Sequence, residues 1–512
     1  MTSNSSSNKS WLTAAAAYTD RRAVTLFFLG FSAGIPILLI FSSLSLWLRE
    51  AGVDRSTVTM FSWAALAYSF KFVWAPLIDS LPLPLLTKLL GRRRGWLLAS
   101  QCAIVAAICC MALVNPVNET ALIYMAAAAV LLGFSSATQD IVIDAYRIEA
   151  SADNVAMQSV TAATYNAGYR LGMVVAGAGA LFLAAKLGSH EKAYVYEAWQ
   201  QTYFIMAAVM GVGIFTTLLT REPESSQKIT PARPAGENLR LMLLFTVSIA
   251  AFVAVFSTIG SVLPSSDGIF TSFLLEAVRL LLSTAAAVAV GTAIVKSGLV
   301  PKSLAVATWI EPVADFFRRY GSSALWLLAL IGIYRISDIV AGVISNVFYQ
   351  DMGFSKEEIA AAVKTFGVLM AIGGGFLGGL LSQKFSLMKM MMLGAILAAA
   401  TNLLFIALAY RGHDVAFMYL AVGFDNLAAG LAGAVFIAFL SALTNIRFTA
   451  VQYAIFSSLM TLLPKTLGGY SGAMVDKIGY PGFFMFTALI GLPVLLLVYV
   501  VDKKIYRNQS QH

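Results

Sequence analysis

Charged residues are scarce in this sequence. Only 12% of its 512 residues are Asp, Glu, Lys or Arg, whereas 59% are hydrophobic. A soluble domain carries about a quarter charged residues, so this chain cannot cover itself with a polar surface. Cysteine and histidine are also rare, with three of each. The three cysteines fall in one apolar stretch, and the three histidines lie in loops or at the end. No spacing typical of a metal site or of a catalytic centre results.

Long, continuous apolar runs are what the sequence has instead, as in residues 246–263. A transmembrane β-barrel would need short segments that alternate apolar and polar residues, and these runs do not alternate. The composition therefore predicts an all-α membrane protein with about fourteen spans of roughly 20 residues each. The second of these spans is expected near residues 56–80.

The net charge of +9 is concentrated between the apolar runs. In a soluble protein this charge could indicate nucleic-acid binding, but loop lysines and arginines are the usual topological signal of a membrane protein. Their excess on alternate loops predicts that both termini are cytoplasmic and that no nucleic acid is bound. The lipid bilayer is the expected partner.

Two polar connections divide the spans into six, two and six. Six plus six is the plan of duplicated secondary transporters, which bind solute near the midplane between the halves. The predicted segments are a polar cytoplasmic tail (1–22), an N-terminal six-helix bundle (23–220), a cytoplasmic linker (221–239), an inserted helix pair (240–295), a second cytoplasmic linker (296–322), a C-terminal six-helix bundle (323–501) and a cytoplasmic tail (502–512).

Several motifs carry a resemblance to a known family. Asp79 followed by GRRRGW (91–96) is similar to the loop signature of the major facilitator superfamily, although a longer insertion separates the two parts here. The wider set resembles the bacterial anhydromuropeptide permeases: GFSAGIPILL (30–39), AYSFKFVWAPLID (67–79), GRRRGWLLASQ (91–101), SSATQDIVIDAYR (135–147) and GYRLGM (168–173).

This resemblance implies a fold and a function. The fold would be that of the superfamily, with the inserted pair added. The protein would be a monomer in the bacterial inner membrane that imports N-acetylglucosaminyl-1,6-anhydro-N-acetylmuramyl peptides for peptidoglycan recycling. Import would be driven by protons, with no other cofactor, and would bear on antibiotic resistance through β-lactamase induction. The loop signature implies that Asp79, Arg92, Arg93 and Arg94 take part in conformational gating.

Ionisable side chains inside the spans are the informative residues, because each costs at least about 2.5–3.5 kcal/mol near the helix centre. Asp140 and Asp144 are four residues apart and share one helix face. Two such carboxylates resist double ionisation, so one of them is suited to carry the coupling proton. The alternative is that Asp144 only pairs with Arg147 or with the basic loop and fixes the bundle geometry.

Cations and acids elsewhere in the spans extend this set. Lys71 is expected to pair with Asp140 or Asp144, or to bind an anionic substrate. Arg170 offers a planar fork suited to a stem-peptide carboxylate, or to the same acids. In the second half, Arg335 and Asp338 are spaced to satisfy each other. Lys364 and Asp425 are further midplane charges with either a structural or a substrate role.

Sugars and peptides are usually held by aromatic faces with amide and hydroxyl groups. The candidates for these contacts are Tyr68, Gln139, Tyr165, Asn166, Tyr169, Asn426 and Gln452. Each of them could equally serve helix packing or the interface belt.

Other functions stay open at this point. A related acetyl-CoA-type carrier, or a carrier of another anionic solute, would share the early motifs. A membrane-embedded transferase would need a catalytic constellation at the membrane surface, which the histidines do not provide. A sensor or scaffold would need a soluble output domain.

Overall fold

The computed structural model shows a protein built from α-helices, many of them long enough to cross a membrane. The residues that the structure describes are 11–54, 57–58, 61, 64, 66–152, 154–189, 193–224, 234–262, 269–468 and 470–507.

The first part of the chain contains eleven helices among these described residues. Two pairs of them are continuous through a π-helical turn, at Leu39–Ser43 and Val175–Gly179. The first such turn follows Pro36, which has no N–H for the helical ladder. The helices are α1 (Trp11–Ala16), α2 (Arg21–Leu38), α3 (Leu44–Glu50), α4 (Leu66–Phe70), α5 (Ala75–Ser80), α6 (Leu86–Leu90), α7 (Arg92–Ala112), α8 (Glu119–Ala150), α9 (Val155–Val174), α10 (Ala180–Lys186) and α11 (Tyr196–Leu219).

The rest of the chain continues in the same way. A π-helical segment, Ala360–Phe366, joins α18 to α19. The helices are α12 (Ala235–Val262), α13 (Ile269–Lys296), α14 (Lys302–Ala305), α15 (Glu311–Tyr320), α16 (Ser323–Ile333), α17 (Ile336–Asp351), α18 (Lys356–Ile359), α19 (Gly367–Leu381), α20 (Leu387–Arg411), α21 (Val415–Leu443), α22 (Thr449–Gly468), α23 (Ser471–Leu489) and α24 (Leu492–Val501).

Thirteen helices in the described part of the chain are long and apolar enough to cross a membrane. They correspond to the predicted spans other than the second. The second predicted span, 56–80, falls partly outside the described residues; the described part contains α4, a 3₁₀ turn at Lys71–Val73 and α5. The prediction of an all-α, multi-pass membrane protein is confirmed.

Contacts group the chain into two compact units. The second unit comprises residues 76–81 and 230–319, and therefore contains α12 and α13, which pack against each other. The predicted linker 296–322 holds α14 and α15 as well. The first unit comprises residues 1–75, 82–229 and 320–512. The exact domain boundaries stay a prediction.

Within the first unit, two groups of helices meet. We call residues 21–75 and 82–219 the N-half and residues 323–501 the C-half. Helix α9 of the N-half packs on α19 and α21 of the C-half, and α8 packs on α22. A Cβ at Gly375 would lie 3.9 Å from the Cβ of Ala163, so the backbones of α9 and α19 approach closely. We call the side on which α2 begins and α24 ends the terminal face.

A segment before α2 contacts both halves on this terminal face. The Tyr18 hydroxyl donates to the carbonyl oxygen of Phe376 in the C-half at 2.5 Å. The Lys384 ammonium lies 3.7 Å from the centre of the Trp11 ring. Tyr18 also packs against a small N-half cluster that includes Met157. These contacts hold the two halves together at this face.

Candidate functional site

Lys71 lies between two carboxylates inside the first unit. It begins the 3₁₀ turn Lys71–Val73, and its ammonium is 3.5 Å from Asp140 and 3.7 Å from Asp144. Only 8% of Lys71 is exposed. The sequence predicted Asp140 or Asp144 as its partner, and the structure places both acids around it.

Asp140 and Asp144 occupy successive turns of α8, on the face directed toward Lys71. The Tyr165 hydroxyl donates to Asp140 Oδ1 at 2.9 Å, and the Arg147 guanidinium lies 3.6 Å from Asp144 Oδ1. The Asp140 side chain keeps 17% of its surface exposed and that of Asp144 12%. Neither carboxylate is therefore closed off completely from solvent.

These four charged groups balance one another, with two cations and two carboxylates. Each of the four groups has an opposite charge within 4 Å. A proton that arrives on either acid must therefore weaken its contact with a cation. This arrangement can couple protonation to a movement of Lys71 or Arg147. Which of the two acids carries the proton stays a prediction.

Arg147 connects this cluster to the C-half. Its guanidinium donates to Ser441 Oγ on α21 at 2.9 Å and lies 5.2 Å from the centre of the Tyr453 ring on α22. It also donates to Gln158 at 3.3 Å, and it is fully buried. The sequence offered Arg147 only as a local partner of Asp144. The contact with Ser441 joins residues far apart in the chain, and no sequence spacing signals it.

Tyrosines line the region next to the acids. The Tyr68 hydroxyl shares a 2.6 Å hydrogen bond with Ser136, and the rings of Tyr165 and Tyr169 are 6.0 Å apart. Asn166, on the same helix as Tyr165 and Tyr169, is half-buried. In the described part of the chain no hydrogen bond reaches its amide. Three of the predicted substrate residues, Tyr68, Tyr165 and Tyr169, therefore form one aromatic group beside the cluster.

Arg170 is half-buried in α9. Among the described residues, no hydrogen bond or ion pair reaches its guanidinium. The like charge of Arg335 in the C-half lies within electrostatic range. Arg335 is already satisfied by Asp338, to which its Nε donates at 3.1 Å. The pairing of Arg335 with Asp338 follows the predicted spacing, whereas Arg170 is not paired with the α8 acids.

The remaining C-half candidates are more scattered. Asp425 accepts a 3.0 Å hydrogen bond from Thr401, and the Asn426 amide donates to the backbone of its own helix, at Val422. Lys364 is exposed on the π-helical segment before α19. In the described structure, Lys364 has no ion-pair partner.

Two predicted substrate residues lie in packed positions. Gln139 is fully buried and donates to Ser32 at 3.0 Å. Gln452 is 2% exposed and accepts from the backbone N–H of Asn445, which stabilises the turn between α21 and α22. Gln139 Oε1 has no hydrogen-bond partner among the described residues, and a role in substrate binding stays a prediction for both glutamines. Both act as helix-packing groups here.

The basic first turn of α7 is held by two acids that the sequence did not point to. The Arg93 guanidinium donates to Glu149 at 2.6 Å, and Arg92 approaches the same carboxylate at 3.4 Å. The Glu222 carboxylate accepts from the backbone N–H groups of Arg93 and Arg94. Donors at the start of a helix have no partner within the helix, and Glu222 supplies one here.

Asp79, the remaining predicted gating residue, lies near the end of α5. It belongs to the second compact unit, whereas Arg92, Arg93 and Arg94 belong to the first. Gating by these four residues stays a prediction.

The sequence itself matches a known family. A sequence model described as Major Facilitator Superfamily matches residues 23–349 and 326–511. Together these matches span almost the whole chain. The protein therefore belongs to the major facilitator superfamily and is a transporter rather than an enzyme.

Curated relatives narrow this class. The anhydromuropeptide permease of Escherichia coli (strain K12) is 31% identical over 484 residues, which cover 94% of this chain and 80% of the permease. The transporter AmpG 4 of Rickettsia felis is 29% identical over 489 residues, which cover 95% of this chain and 98% of the relative. Within the superfamily, the chain belongs to the anhydromuropeptide permease (AmpG) family.

Solved structures agree in fold. The proton:xylose symporter XylE superposes with a TM-score of 0.59 at 12% identity, covering 95% of this chain and 96% of the symporter. The human organic anion transporter MFSD10 superposes with a TM-score of 0.53 at 14% identity, covering 93% of this chain and 99% of that one. At these identities the likeness establishes the fold alone.

Proposed function

We propose that the protein is a proton-coupled importer of N-acetylglucosaminyl-1,6-anhydro-N-acetylmuramyl peptides in the bacterial inner membrane, with both termini cytoplasmic. It would work by alternating access and supply peptidoglycan recycling. Support for the substrate comes from the relative named anhydromuropeptide permease. The aromatic and amide groups around Tyr165 suit a sugar. Arg170, which has no partner among the described residues, suits a carboxylate of the stem peptide.

The observation that carries the coupling proposal is the position of Arg147 between Asp144 and Ser441. Protonation of Asp144 removes the negative charge that holds Arg147 from the N-half side. Asp144 then no longer holds Arg147 in position for its contact with the C-half, and Lys71 keeps only Asp140 as an ion-pair partner. One proton would thus loosen a contact between the halves.

The arrangement of the halves fits import. Their contacts through Arg147, Tyr18 and Gly375 lie toward the terminal face. If that face is cytoplasmic, a carrier joined there is ready to accept solute from the periplasm. Release into the cytoplasm would require these contacts to separate.

Uptake into vesicles tests this function. Purified protein is reconstituted, the membrane potential is clamped at zero, and uptake of labelled anhydromuropeptide is followed with a gradient of one pH unit. Each coupled proton supports about tenfold accumulation, because one pH unit corresponds to about 1.4 kcal/mol. We expect Asp144→Asn to lower accumulation by about tenfold or more while solute exchange without a gradient persists.

The matched control is Asp476→Asn, since Asp476 is an exposed carboxylate outside the cluster. It should accumulate solute like the wild type. Wild-type uptake of anhydromuropeptide that does not depend on the pH gradient would contradict proton coupling. Uptake of acetyl-CoA or another anionic solute, without uptake of anhydromuropeptide, would contradict the proposed substrate.

A further inference from the structure

Among the described residues, Asp425 differs from Asp140, Asp144, Asp338 and Glu149 in having no cation beside it. Asp140 and Asp144 share Lys71, Asp338 pairs with Arg335, and Glu149 pairs with Arg93. In the described structure no Lys, Arg or His nitrogen lies within 4 Å of Asp425. Among the described residues, one hydrogen bond reaches its carboxylate, from Thr401 on α20 at 3.0 Å.

The helices around Asp425 carry several charged and titratable groups. Asp338, Arg335 and Tyr349 on the α16–α17 segment lie within electrostatic range of Asp425. The Arg335 guanidinium is occupied by Asp338. Helix α19, which packs on α21, has no ionisable residue. The other charged residues on elements packed against α21 are Arg170 on α9, Lys364 before α19, Lys389 and Arg411 at the ends of α20, and Lys465 on α22.

An ionised carboxylate in this setting lacks the compensation that the other acids have. Asp425 is half-buried, and partial removal of a carboxylate from water without a countercharge disfavours the ionised form and favours the protonated one. The Thr401 hydroxyl can serve both forms, because a hydroxyl donates to a carboxylate and can rotate to accept from a protonated carboxyl. Asp425, hydrogen-bonded to Thr401, can therefore gain and lose a proton without the movement of a cation.

We propose that Asp425 together with Thr401 is a second proton-binding site, located in the C-half and separate from the Lys71 cluster. This inference rests on the proposed proton-driven transport. A proton from water adds to one carboxylate oxygen of Asp425 and later returns to water, so no other bond forms or breaks. Each half then holds one proton site, and two protons move with each solute.

Infrared difference spectroscopy tests the site without any substrate. Reconstituted protein is titrated with acid and base, and the C=O stretching band of protonated carboxyl groups is recorded. We expect Asp425→Asn to remove a component of this band that Asp476→Asn retains. Thr401→Val should shift that component, because its hydrogen bond is lost. A band unchanged in both Asp425→Asn and Thr401→Val would overturn the proposal.

Accumulation measurements test the stoichiometry. With the potential clamped at zero and a gradient of one pH unit, two protons support about 100-fold accumulation and one proton about tenfold. We expect the wild type to reach the higher ratio, Asp425→Asn to fall by about tenfold, and Asp476→Asn to keep the wild-type ratio.

The two proposals fail in different ways. Absence of gradient-driven uptake in the wild type would contradict proton coupling itself. The infrared titration would then still test whether Asp425 binds a proton. A wild type with gradient-driven uptake and an Asp425→Asn variant with the same accumulation ratio would overturn the second site and leave the Proposed function standing. If Asp425→Asn does not fold, Thr401→Val tests the site: a shifted C=O band supports it, and an unchanged band overturns it.

Discussion

At the scale of single residues, the centre of this transporter is a charge-balanced group rather than a pair of free acids. Lys71 lies between Asp140 and Asp144, and Arg147 lies on the far side of Asp144. Each charge in the group depends on its neighbours, because an unpaired ion inside a membrane protein is unfavourable. Removing one member should therefore harm stability as well as transport.

Lys71→Met tests this dependence. The substitution leaves two carboxylates together with Arg147 as their remaining cation, and breaking a buried ion pair by removal of one partner costs about 3–5 kcal/mol. We expect a large fall in thermal stability, measured by unfolding of the purified protein in detergent. A second substitution, Asp140→Asn, removes the surplus charge and should restore part of the stability. No restoration would mean that the lost lysine mattered for packing only.

At the scale of helices, glycine decides how closely α2 and α9 approach. A Cβ at Gly168 would lie 1.9 Å from the carbonyl oxygen of Phe27, and a Cβ at Gly30 would lie 2.2 Å from that of Tyr165. No flexible side chain stands at either contact, so the two backbones would have to separate. This close packing holds α9, with Tyr165 and Arg170, in place beside α8.

Gly168→Ala should therefore destabilise the protein by about 1–3 kcal/mol, as overpacking does. The matched control is Gly433→Ala on α21, where a Cβ meets nothing within 4 Å. That control should be neutral or should gain about 0.5–1 kcal/mol, because alanine favours a helix over glycine. Thermal unfolding of both variants in the same detergent gives the comparison. Equal stability of the two would show that α2 and α9 can move apart freely.

At the scale of the whole first unit, alternating access requires the halves to separate on the terminal face. Helices α9 and α19 meet there, with 3.9 Å between the Cβ of Ala163 and a Cβ at Gly375. That separation is within the range for a disulfide. A covalent bond at this point would hold the halves in the present arrangement.

The double variant Ala163→Cys/Gly375→Cys is made after Cys102, Cys109 and Cys110 have been replaced by serine. Oxidation should stop transport in vesicles, and a reducing agent should restore it. Ala163→Cys/Gly373→Cys is the control, since a Cβ at Gly373 meets nothing within 4 Å and cannot be bridged. Full transport by the oxidised double variant would rule out a separation of the halves at this point.

Much of the architecture could be predicted from the sequence, for a physical reason. Lipid accepts only segments that satisfy their own backbone, so long apolar runs had to be helices, and thirteen of the expected spans are present among the described residues. Local charge pairs were also predictable, as with Arg335 and Asp338, because spacing on one helix sets which side chains meet. The motifs around Asp140 and Gly168 indicated the family.

Contacts between distant parts of the chain were decided by the tertiary structure alone. The link from Arg147 to Ser441, the contacts of Glu149 and Glu222 with the basic first turn of α7, and the packing of Gln139 against Ser32 all join segments that are distant in the chain. Helical periodicity fixes the face on which a side chain lies, but not which helix comes to lie opposite. For the same reason, the sequence marked Asp425 as a charge in the membrane, and only the packed helices showed that no cation lies beside it in the described part of the chain.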